Sequence, residues 1–395
     1  YILIPLDQKL ADRAVTLDLP LSEAGKILYR AISRPLNERP SCYYRREFLD
    51  SYIPNQSAYL TDQEKAQLLE MNGPSKRILP AGTYAREIYN RLLIDLSWNS
   101  SRLEGNTYSL LETERLLNLG EQVDSKSAQE AHMLLNHKDA IEFLIENAEE
   151  ISYNAMTIRN MHALLSDTLL GDSGASGRIR SIPINISGTK FKPCNTPSIL
   201  EECFEELLKK AALINDPFEV SFFLLVHIPY LQPFEDVNKR TARIACNIPL
   251  IKSNLCPISF VDVSLHAYIS AMLGVYELNE ISLLKDVFLW AYKRSTQRYA
   301  HIQHQVGEPD PLRVRHRMNI RSLVKEIVEK GLDRLQATKH IQGWASEHLD
   351  HDKQRFIEAV EQELLQLNIG NIARYKLHPS IFNKWSTIWN RPNGQ

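Results

Sequence analysis

The chain has 395 residues, which is enough for two or three domains. Hydrophobic residues make up 44% and charged residues 24%, and these values exclude a largely disordered or fibrous chain. The formal net charge of −2 excludes binding to nucleic acid or anionic lipid through the field of the whole molecule, so any such binding must be local. Only 15 glycines occur, which favours a mainly helical protein over a β-rich or dinucleotide-binding fold.

The cysteines and the lengths of the apolar runs indicate the cellular compartment in which the protein is expected. The cysteine count is odd and no C-x-x-C spacing occurs, which favours reduced thiols over a disulfide framework or a zinc site. The first residues do not resemble a signal peptide, and nowhere do about 18 apolar residues follow one another. We therefore expect a cytoplasmic location and no membrane partner. The cysteines are Cys42, Cys194, Cys203, Cys246 and Cys256.

The first quarter of the chain predicts an irregular arm followed by helices. A short helix is predicted over SEAGKILYRAI, before breaks at Pro35 and Pro40. Asp62 is a plausible N-cap for the next helix, and another helix is predicted from Tyr84 to about Ser97.

The centre of the chain predicts more helices and one hairpin. Ser109 and Glu112 fit a capping box, and SKSAQEAHMLLNHKDAIEFLIENAEE and residues 152–170 have helical spacing. The isoleucines of RIRSIPINIS then alternate with polar residues before Ser187-Gly188, which predicts a β-hairpin.

Helical spacing resumes after this hairpin. The run PFEVSFFLLVHIPYLQPF predicts a helix buried on nearly all sides, and HQVGEPDPLRVRHRM is the best linker candidate. The other helices are predicted within PSILEECFEELLKKAALI, Lys239–Ile251, Leu265–Tyr299, Val324–Val328 and Phe356–Leu367.

The most unusual local composition is QPFEDVNKRTAR at 232–243, between two predicted helices. Free backbone N–H groups at a helix N-terminus attract phosphate. Arg240 and Arg243 share one helical face and could grip phosphate oxygens, while Asp236 could hold the Mg²⁺ of a nucleotide. The alternative is a loop with acids near a helix N-terminus and arginines on a solvated face.

The same segment resembles the signature of the Fic family, H-P-F-x-[DE]-G-N-[GK]-R-x-x-R. Gln232 takes its histidine position and Val237 its glycine position. The stretch SSRLEGN, with Ser100 and Glu104, resembles the inhibitory motif [ST]-x-x-x-E-[GN], which one subgroup carries N-terminal to the core. The predicted hairpin resembles the family's flap. The positions that match the signature are Pro233, Phe234, Asp236, Asn238, Lys239, Arg240 and Arg243.

This resemblance implies a mainly α-helical Fic-type core with a small β-hairpin flap and a site for ATP and Mg²⁺. Phe234 would anchor the loop in the core, and Asp236 would ligate the metal. Asn238, Lys239 and the loop amides, including that of Val237, would contact phosphates. Arg240 and Arg243 would neutralise the β/γ end of the nucleotide.

The resemblance also implies regulation and partners. Glu104, in the helix that carries Ser100, would pair with Arg243 and block the γ-phosphate pose that transfer needs. The flap at 178–192 would clamp a target protein by adding a strand to it. A homodimer is a further option that the family allows.

Two departures from the signature change the expected chemistry. A glutamine amide does not titrate near neutrality, so Gln232 cannot act as the general base that the family's histidine provides. Adenylyl transfer to a protein hydroxyl is expected to be weak, altered or absent, because losing a positioned base costs about 10²–10⁴ in rate. Val237 should resist the positive φ that glycine allows, so the anion cradle is reshaped or the phosphates bind displaced.

Other residues have weaker claims on the site. His227 could replace the missing base only if Pro229 breaks the helix between it and Gln232; otherwise it is a core histidine. Glu235 is either a substitute base or a solvated acid before the helix. The residues that could line an adenine pocket, or could simply belong to the core, are Tyr268, Tyr276 and Asn279.

The predicted organisation has four parts: an N-terminal arm and helical region at 1–96, a Fic core at 97–300, a linker at 301–315 and a C-terminal helical domain at 316–395. The favoured function is nucleotide binding with altered or absent protein adenylylation. A non-catalytic regulatory or protein-interaction module is the alternative. A DNA-associated regulator is a third hypothesis, based on the C-terminal domain and the basic residues Arg313, Arg315, His316, Arg317 and Arg321.

Overall fold

The structure is a computed structural model, and it describes residues 17, 19–72, 80–305, 312, 315–349 and 353–389. Two compact units divide the chain between Ile302 and Gln303. The described residues are mainly α-helical, which confirms the predicted fold class. None of the helices in these ranges is long and apolar enough to cross a membrane. Most of the predicted linker at 301–315 lies outside the described residues.

The first unit contains fourteen of the described α-helices and two short strands. Its strands are β1 (Cys42–Tyr43) and β2 (Phe191–Lys192). Its helices are α1 (Glu23–Ile32), α2 (Glu47–Asp50), α3 (Asp62–Glu70), α4 (Thr83–Glu87), α5 (Tyr89–Arg102), α6 (Leu110–Leu119), α7 (Ala128–Glu146), α8 (Ala155–Ser166), α9 (Pro197–Leu213), α10 (Pro217–Leu231), α11 (Asn238–Ala245), α12 (Asn247–Lys252), α13 (Leu265–Leu278) and α14 (Ser282–Gln305), whose last residues fall in the second unit.

Helix α10 lies at the centre of this unit. Asp216 caps its N-terminus by accepting a hydrogen bond from the Glu219 N–H, and Pro217 occupies the first turn, where its missing N–H costs nothing. Phe218 and all later residues of α10 are buried, as its continuous apolar run predicts. Pro229 lies inside the helix, which nevertheless continues to Leu231.

Several predicted boundaries are confirmed and others are wrong. Ser109 and Glu112 form the predicted capping box. The cap of α3 is Thr61 and not Asp62, because the Thr61 hydroxyl accepts from the Glu64 N–H and leaves Asp62 in the first turn. The helix predicted over 239–251 is two helices; Pro249 has no N–H to bond the Ala245 carbonyl across that break.

The predicted β-hairpin at 178–192 does not form in the described chain. Its turn at Ser187-Gly188 is present, but the only strand residues in the segment belong to β2, which pairs in parallel with β1. The Cys42 N–H donates to the Lys190 carbonyl and the Tyr44 N–H to the Lys192 carbonyl. Pro183 has no N–H for a ladder, so the first limb of the flap stays extended without pairing to the second.

The second unit has its own core. Its described helices are α15 (Arg317–Glu329), α16 (Arg334–His348), α17 (Lys353–Leu365) and α18 (Pro379–Trp389), which bury an apolar cluster that includes Val324, Ile341, Phe356, Val360 and Trp385.

Candidate functional site

The loop between α10 and α11 contains two residues in the left-handed region. Gln232 has φ 53° and Val237 has φ 65°. Val237 thus adopts the positive φ that it was predicted to resist, at a cost of about 1–2 kcal/mol, so the expected change of backbone conformation at this position does not occur. Two sets of bonds enforce this conformation: the Val237 N–H donates to Asp236 Oδ1 at 2.6 Å, and the Val237 carbonyl accepts from the N–H and hydroxyl of Thr241.

Asn238, the first residue of α11, ties the loop together. Its Oδ1 accepts from the Phe234 N–H at 2.9 Å, and its Nδ2 donates to the Phe234 carbonyl and to Gln232 Oε1, each at 2.9 Å. Phe234 is fully buried, as the predicted anchor would be. The amide of Asn238 is therefore used in holding the loop closed on itself.

The Gln232 side chain is buried and takes part in the same network. Its Nε2 donates to the Pro229 carbonyl at 2.7 Å and to the Tyr276 hydroxyl at 3.3 Å, while its Oε1 accepts from Asn238. Both ends of the amide thus have protein partners. The group in the position of the signature's histidine acts here as a structural link between α10, α11 and α13.

Two residues that the sequence analysis did not predict hold the loop from outside. His162 of α8 stacks on Phe234, with ring centroids 3.8 Å apart. Its Nδ1 accepts from the Gly177 N–H, so its Nε2–H donates to the Asp236 carbonyl at 3.2 Å. Burial lowers the pKa of His162 to about 4, so the ring is neutral at pH 7 and keeps this tautomer.

Arg180, in the first limb of the flap, is the second unpredicted residue. Its Nε donates to the Gln232 carbonyl at 2.7 Å, and its other nitrogens donate to the Ile182 and Cys194 carbonyls. The Arg180 N–H also donates to the Pro233 carbonyl. One buried guanidinium therefore joins the loop to the first limb of the flap and to the residues that follow its second limb, which holds the flap in position without a hairpin ladder.

A buried carboxylate faces the cations of α11. Glu104, in the turn after α5, accepts from Arg243 Nη2 at 2.7 Å and pairs with Lys239 Nζ at 3.0 Å. Its side chain is 2% exposed, and that of Arg243 is 0% exposed. Arg243 also donates to the hydroxyl of Ser100 at 3.0 Å and to its carbonyl at 2.9 Å. Ser100 and Glu104 thus hold the same arginine from one helix end.

The charges around Glu104 determine its ionisation. Burial would raise the pKa of Glu104, but Lys239, Arg243 and Arg240 outweigh burial and lower it to about 2. The carboxylate is therefore charged throughout the physiological range.

His137 of α7, also unpredicted, supports this contact. Its Nε2 accepts from the Ser100 hydroxyl at 2.8 Å, because its Nδ1 lies 2.7 Å from the Met133 carbonyl and must be the donor there. The Ser100 oxygen is then turned towards Arg243. Burial lowers the pKa of His137 to about 3, so this orientation persists at neutral pH.

Asp236 is the predicted metal ligand. Burial raises the pKa of its carboxyl group, and Arg240 opposes that rise. No group of three or more histidine, cysteine or acidic residues suited to a metal occurs in the described parts of the chain. A single carboxylate fits Mg²⁺ only where phosphates and water supply the remaining ligands, so the donor set suits a metal that arrives with a nucleotide.

These residues surround a cavity of about 350 Å³. Glu104, Gln232, Asp236, Lys239 and Arg240 line one side of it, and flap residues 184–187 line the other. This volume lies within the usual range of small-molecule sites, about 300–1,000 Å³. The predicted site residues therefore meet at one concave surface, with Arg243 behind Glu104.

Four other predicted candidates lie beside this cavity or away from it. His227 is a core histidine: its Nε2 lies 2.7 Å from the Tyr59 hydroxyl, and burial lowers its pKa to about 3. Glu235 is partly exposed and lies 3.7 Å from Arg178. Tyr268 and Tyr276 line a second, narrow cleft beside the cavity.

The remaining candidates gain no site contact. Asn279 caps the C-terminus of α13 with φ 54°. Of the basic run, Arg313 lies outside the described residues, and Arg317 and Arg321 lie on α15 in the second unit. Their contact with DNA stays a prediction.

The sequence gives only faint signals for His162, His137 and Arg180. Each histidine is one of several polar residues in a helix of ordinary spacing, and Arg180 lies in a stretch that indicates a hairpin. A histidine on an otherwise apolar helix face is the one sequence feature that could have identified His162 and His137 as residues that support the site.

Comparison with known proteins supports the same architecture. Residues 152–250 match the family model described as Fic/DOC family. Protein adenylyltransferase fic-1 of Caenorhabditis elegans is 26% identical over 210 residues, which cover 51% of this chain and 40% of that protein. Protein adenylyltransferase Fic of Aedes aegypti is 25% identical over 218 residues, covering 54% and 43%. The matches thus span less than half the length of these two relatives.

A solved structure shows the likeness in three dimensions. The Fic domain containing signaling protein from Bacteroides thetaiotaomicron superposes with a TM-score of 0.50 and 20% identity, covering 62% of this chain and 97% of that one. This likeness concerns the fold alone. The family model matches residues 152–250, and the solved structure shows that the chain shares the helical fold of Fic domains.

Proposed function

We propose that the chain is a Fic-fold nucleotide-binding protein related to protein adenylyltransferases, and that it binds ATP with Mg²⁺ in the cavity between α11 and the flap. Transfer of AMP to a protein hydroxyl is reduced or absent. The relatives named protein adenylyltransferase support this class of ligand.

The observation that carries the proposal is the pairing of Glu104 with the cations of α11. Lys239 and Arg243 contact its two oxygens at 3.0 and 2.7 Å, and Arg240 also lowers its pKa. Buried cations are stable only beside anions, and here Glu104 pairs with Lys239 and Arg243, while the Asp236 carboxyl group interacts with Arg240. A polyphosphate in the cavity offers the same cations several charged oxygens.

Glu104 therefore has an inhibitory role in this proposal. It occupies the side of Arg243 that a terminal phosphate would need, and Ser100 and His137 hold the arginine towards it. A nucleotide must displace this carboxylate or bind with its last phosphate elsewhere. Removing Glu104 should strengthen nucleotide binding.

The other residues have roles that follow from their positions. Asp236 would hold the Mg²⁺, whose charge would offset that of the phosphates. Lys239 and Arg240 would neutralise phosphate oxygens, and the N–H groups at the start of α11 would add dipolar attraction. Asn238 would act mainly through the loop it holds closed.

The target and the setting are also part of the proposal. An extended protein segment would dock along the first limb of the flap, where residues 181–186 are mostly exposed, whereas the second limb is already paired with β1. The five free cysteines are consistent with a cytoplasmic protein, and a homodimer is compatible with the family.

Calorimetry with Mg-ATP tests the proposal. Wild type is expected to bind weakly, and Glu104→Gly more tightly, because the substitution removes the carboxylate that pairs with Lys239 and Arg243. Glu202→Ala is the matched control, since Glu202 pairs with Arg46 on the surface of α9. Absence of binding heat in both wild type and Glu104→Gly would refute nucleotide binding.

A non-catalytic module is a second candidate, and the bonding of Gln232 favours it. Its amide has protein partners at both ends and cannot accept a proton from a target hydroxyl near neutral pH. Mass spectrometry after incubation with Mg-ATP distinguishes the two candidates. AMP found on the chain or on a partner would exclude the non-catalytic module.

A further inference from the structure

Glu277 is a buried carboxylate that neither the signature nor the inhibitory motif includes. It lies in the last turn of α13, where the negative end of the helix dipole disfavours an acid, and its side chain is 5% exposed. Two unfavourable conditions, burial and the dipole, require compensating donors. The structure supplies three of them.

Two of the three donors belong to the tip of the flap, and the third, Arg39, also bonds a carbonyl of that tip. Glu277 Oε1 accepts from the Thr189 hydroxyl at 2.6 Å, from the Lys190 N–H at 3.1 Å and from Arg39 Nη1 at 2.9 Å. Arg39 also donates through Nη2 to the Gly188 carbonyl at 3.1 Å. One carboxylate thus fastens the flap tip to α13, with an arginine of the N-terminal arm closing the contact.

The N-terminal arm continues this attachment along the chain. Three residues after Arg39, β1 pairs with β2 immediately beyond the flap tip. Cys42 and Tyr44 donate backbone hydrogen bonds to Lys190 and Lys192. The arm and α13 therefore hold the same four or five residues of the flap from two sides.

The attachment limits the width of a narrow cleft between the flap and α13. This cleft has a volume of about 20 Å³ and is lined by Ile186, Ser187 and Thr189 on one side and by Tyr268, Met272 and Tyr276 on the other. A space of this size holds about one water molecule. It cannot hold an aromatic base unless the flap moves away from α13.

We propose that Glu277 is a positioning residue that anchors the flap tip to α13 and thereby controls entry of the nucleotide base into this cleft. The inference rests on the proposed nucleotide binding for its ligand, but the anchor itself can be tested without one. The N-terminal arm also has a role in this proposal. Arg39 strengthens the contact between Glu277 and the flap tip, and movement of the arm weakens that contact.

Hydrogen–deuterium exchange without nucleotide tests the anchor. In Glu277→Ala the amides of residues 188–192 should exchange about tenfold faster than in wild type, because the Lys190 N–H loses its acceptor. Glu277→Gln, which keeps an oxygen acceptor but loses the charge that binds Arg39, should lie between them. Glu202→Gln, which alters the exposed pair between Arg46 of the same arm and Glu202 of α9, should leave these amides unchanged.

Stopped-flow association of a fluorescent ATP analogue tests control of entry. Association should be faster for Glu277→Ala than for wild type, with Glu202→Gln equal to wild type. Unchanged exchange at 188–192 would overturn the anchor, and faster exchange with equal association rates would overturn control of entry. Faster exchange without nucleotide binding by any variant would support the anchor and reject the proposed function instead.

Discussion

Replacing Glu104 by glutamine tests whether the buried ion pairs stabilise the fold. Glutamine keeps an oxygen for Arg243 Nη2 but removes the charge that faces Lys239 and Arg243. The pKa of Glu104 falls from 4.5 to about 2 in the folded protein. At 1.36 kcal/mol per pKa unit this corresponds to about 3 kcal/mol of stability. Removing one partner of a buried ion pair typically costs about 3–5 kcal/mol of stability, which is similar to the value obtained from the pKa of Glu104.

The pH dependence has a definite sign. Because the folded pKa of Glu104 lies below its unfolded value, the stabilisation is fully present above about pH 5 and is lost as the pH falls from 4.5 towards 2. Urea denaturation of wild type and Glu104→Gln, followed by circular dichroism, measures the difference. It should be about 3 kcal/mol at pH 7 and about half of that by pH 3.

The control is Glu202→Gln, which removes an exposed carboxylate paired with Arg46. Exposed pairs contribute little, so this variant should denature close to wild type at both pH values. Equal midpoints for wild type and Glu104→Gln at pH 7, or a difference that does not shrink in acid, would refute the reasoning.

Three further changes probe the loop. Gln232→His combined with Glu104→Gly should raise incorporation of radioactive AMP about 10²–10⁴-fold over Glu104→Gly alone, because the histidine provides a titratable base at position 232. If incorporation does not rise, the missing base is not what limits transfer. Val237→Gly removes the strain of a non-glycine residue at φ 65°, but it also removes a buried side chain, so the free energy of unfolding measured in urea should fall by about 1 kcal/mol. Calorimetry should show tighter binding of Mg-ATP to this variant. Unchanged affinity would show that the valine side chain does not obstruct the phosphates. His162→Phe keeps an aromatic ring against the loop but loses the N–H that donates to the Asp236 carbonyl, so urea denaturation should show a free energy of unfolding about 2 kcal/mol lower than that of wild type. Stability equal to wild type would show that this hydrogen bond contributes nothing.

The helical framework and the position of the loop could be predicted from sequence because both depend on local patterns. The apolar run of α10 and the capping box at Ser109 carry enough local signal to place their helices, and the signature at 232–243 locates the turn between two of them. The position of Glu104 beside Arg243 could be anticipated only through the resemblance to a known family. Nothing in the spacing of residues 104 and 243 indicates contact.

The flap and its supports depend on contacts distant in sequence, which local patterns do not encode. Alternating isoleucines indicate a hairpin, but the partner of β2 proved to be Cys42–Tyr43, about 150 residues away along the chain. Arg180, His162 and Glu277 act on backbone groups of other segments. Such bonds need only a donor and an acceptor in place, so they leave no periodic signal.

A glutamine at the start of the loop also has a kinetic consequence. An enzyme whose base titrates loses activity on the acid side at the pKa of that base, and its rate then levels off above it. Gln232 has no proton to gain or lose in this range, so any transfer that does not use Glu235 as the base must rely on hydroxide or on spontaneous ionisation of the acceptor hydroxyl. Its logarithmic rate would then climb steadily with pH, without the plateau that a histidine would impose.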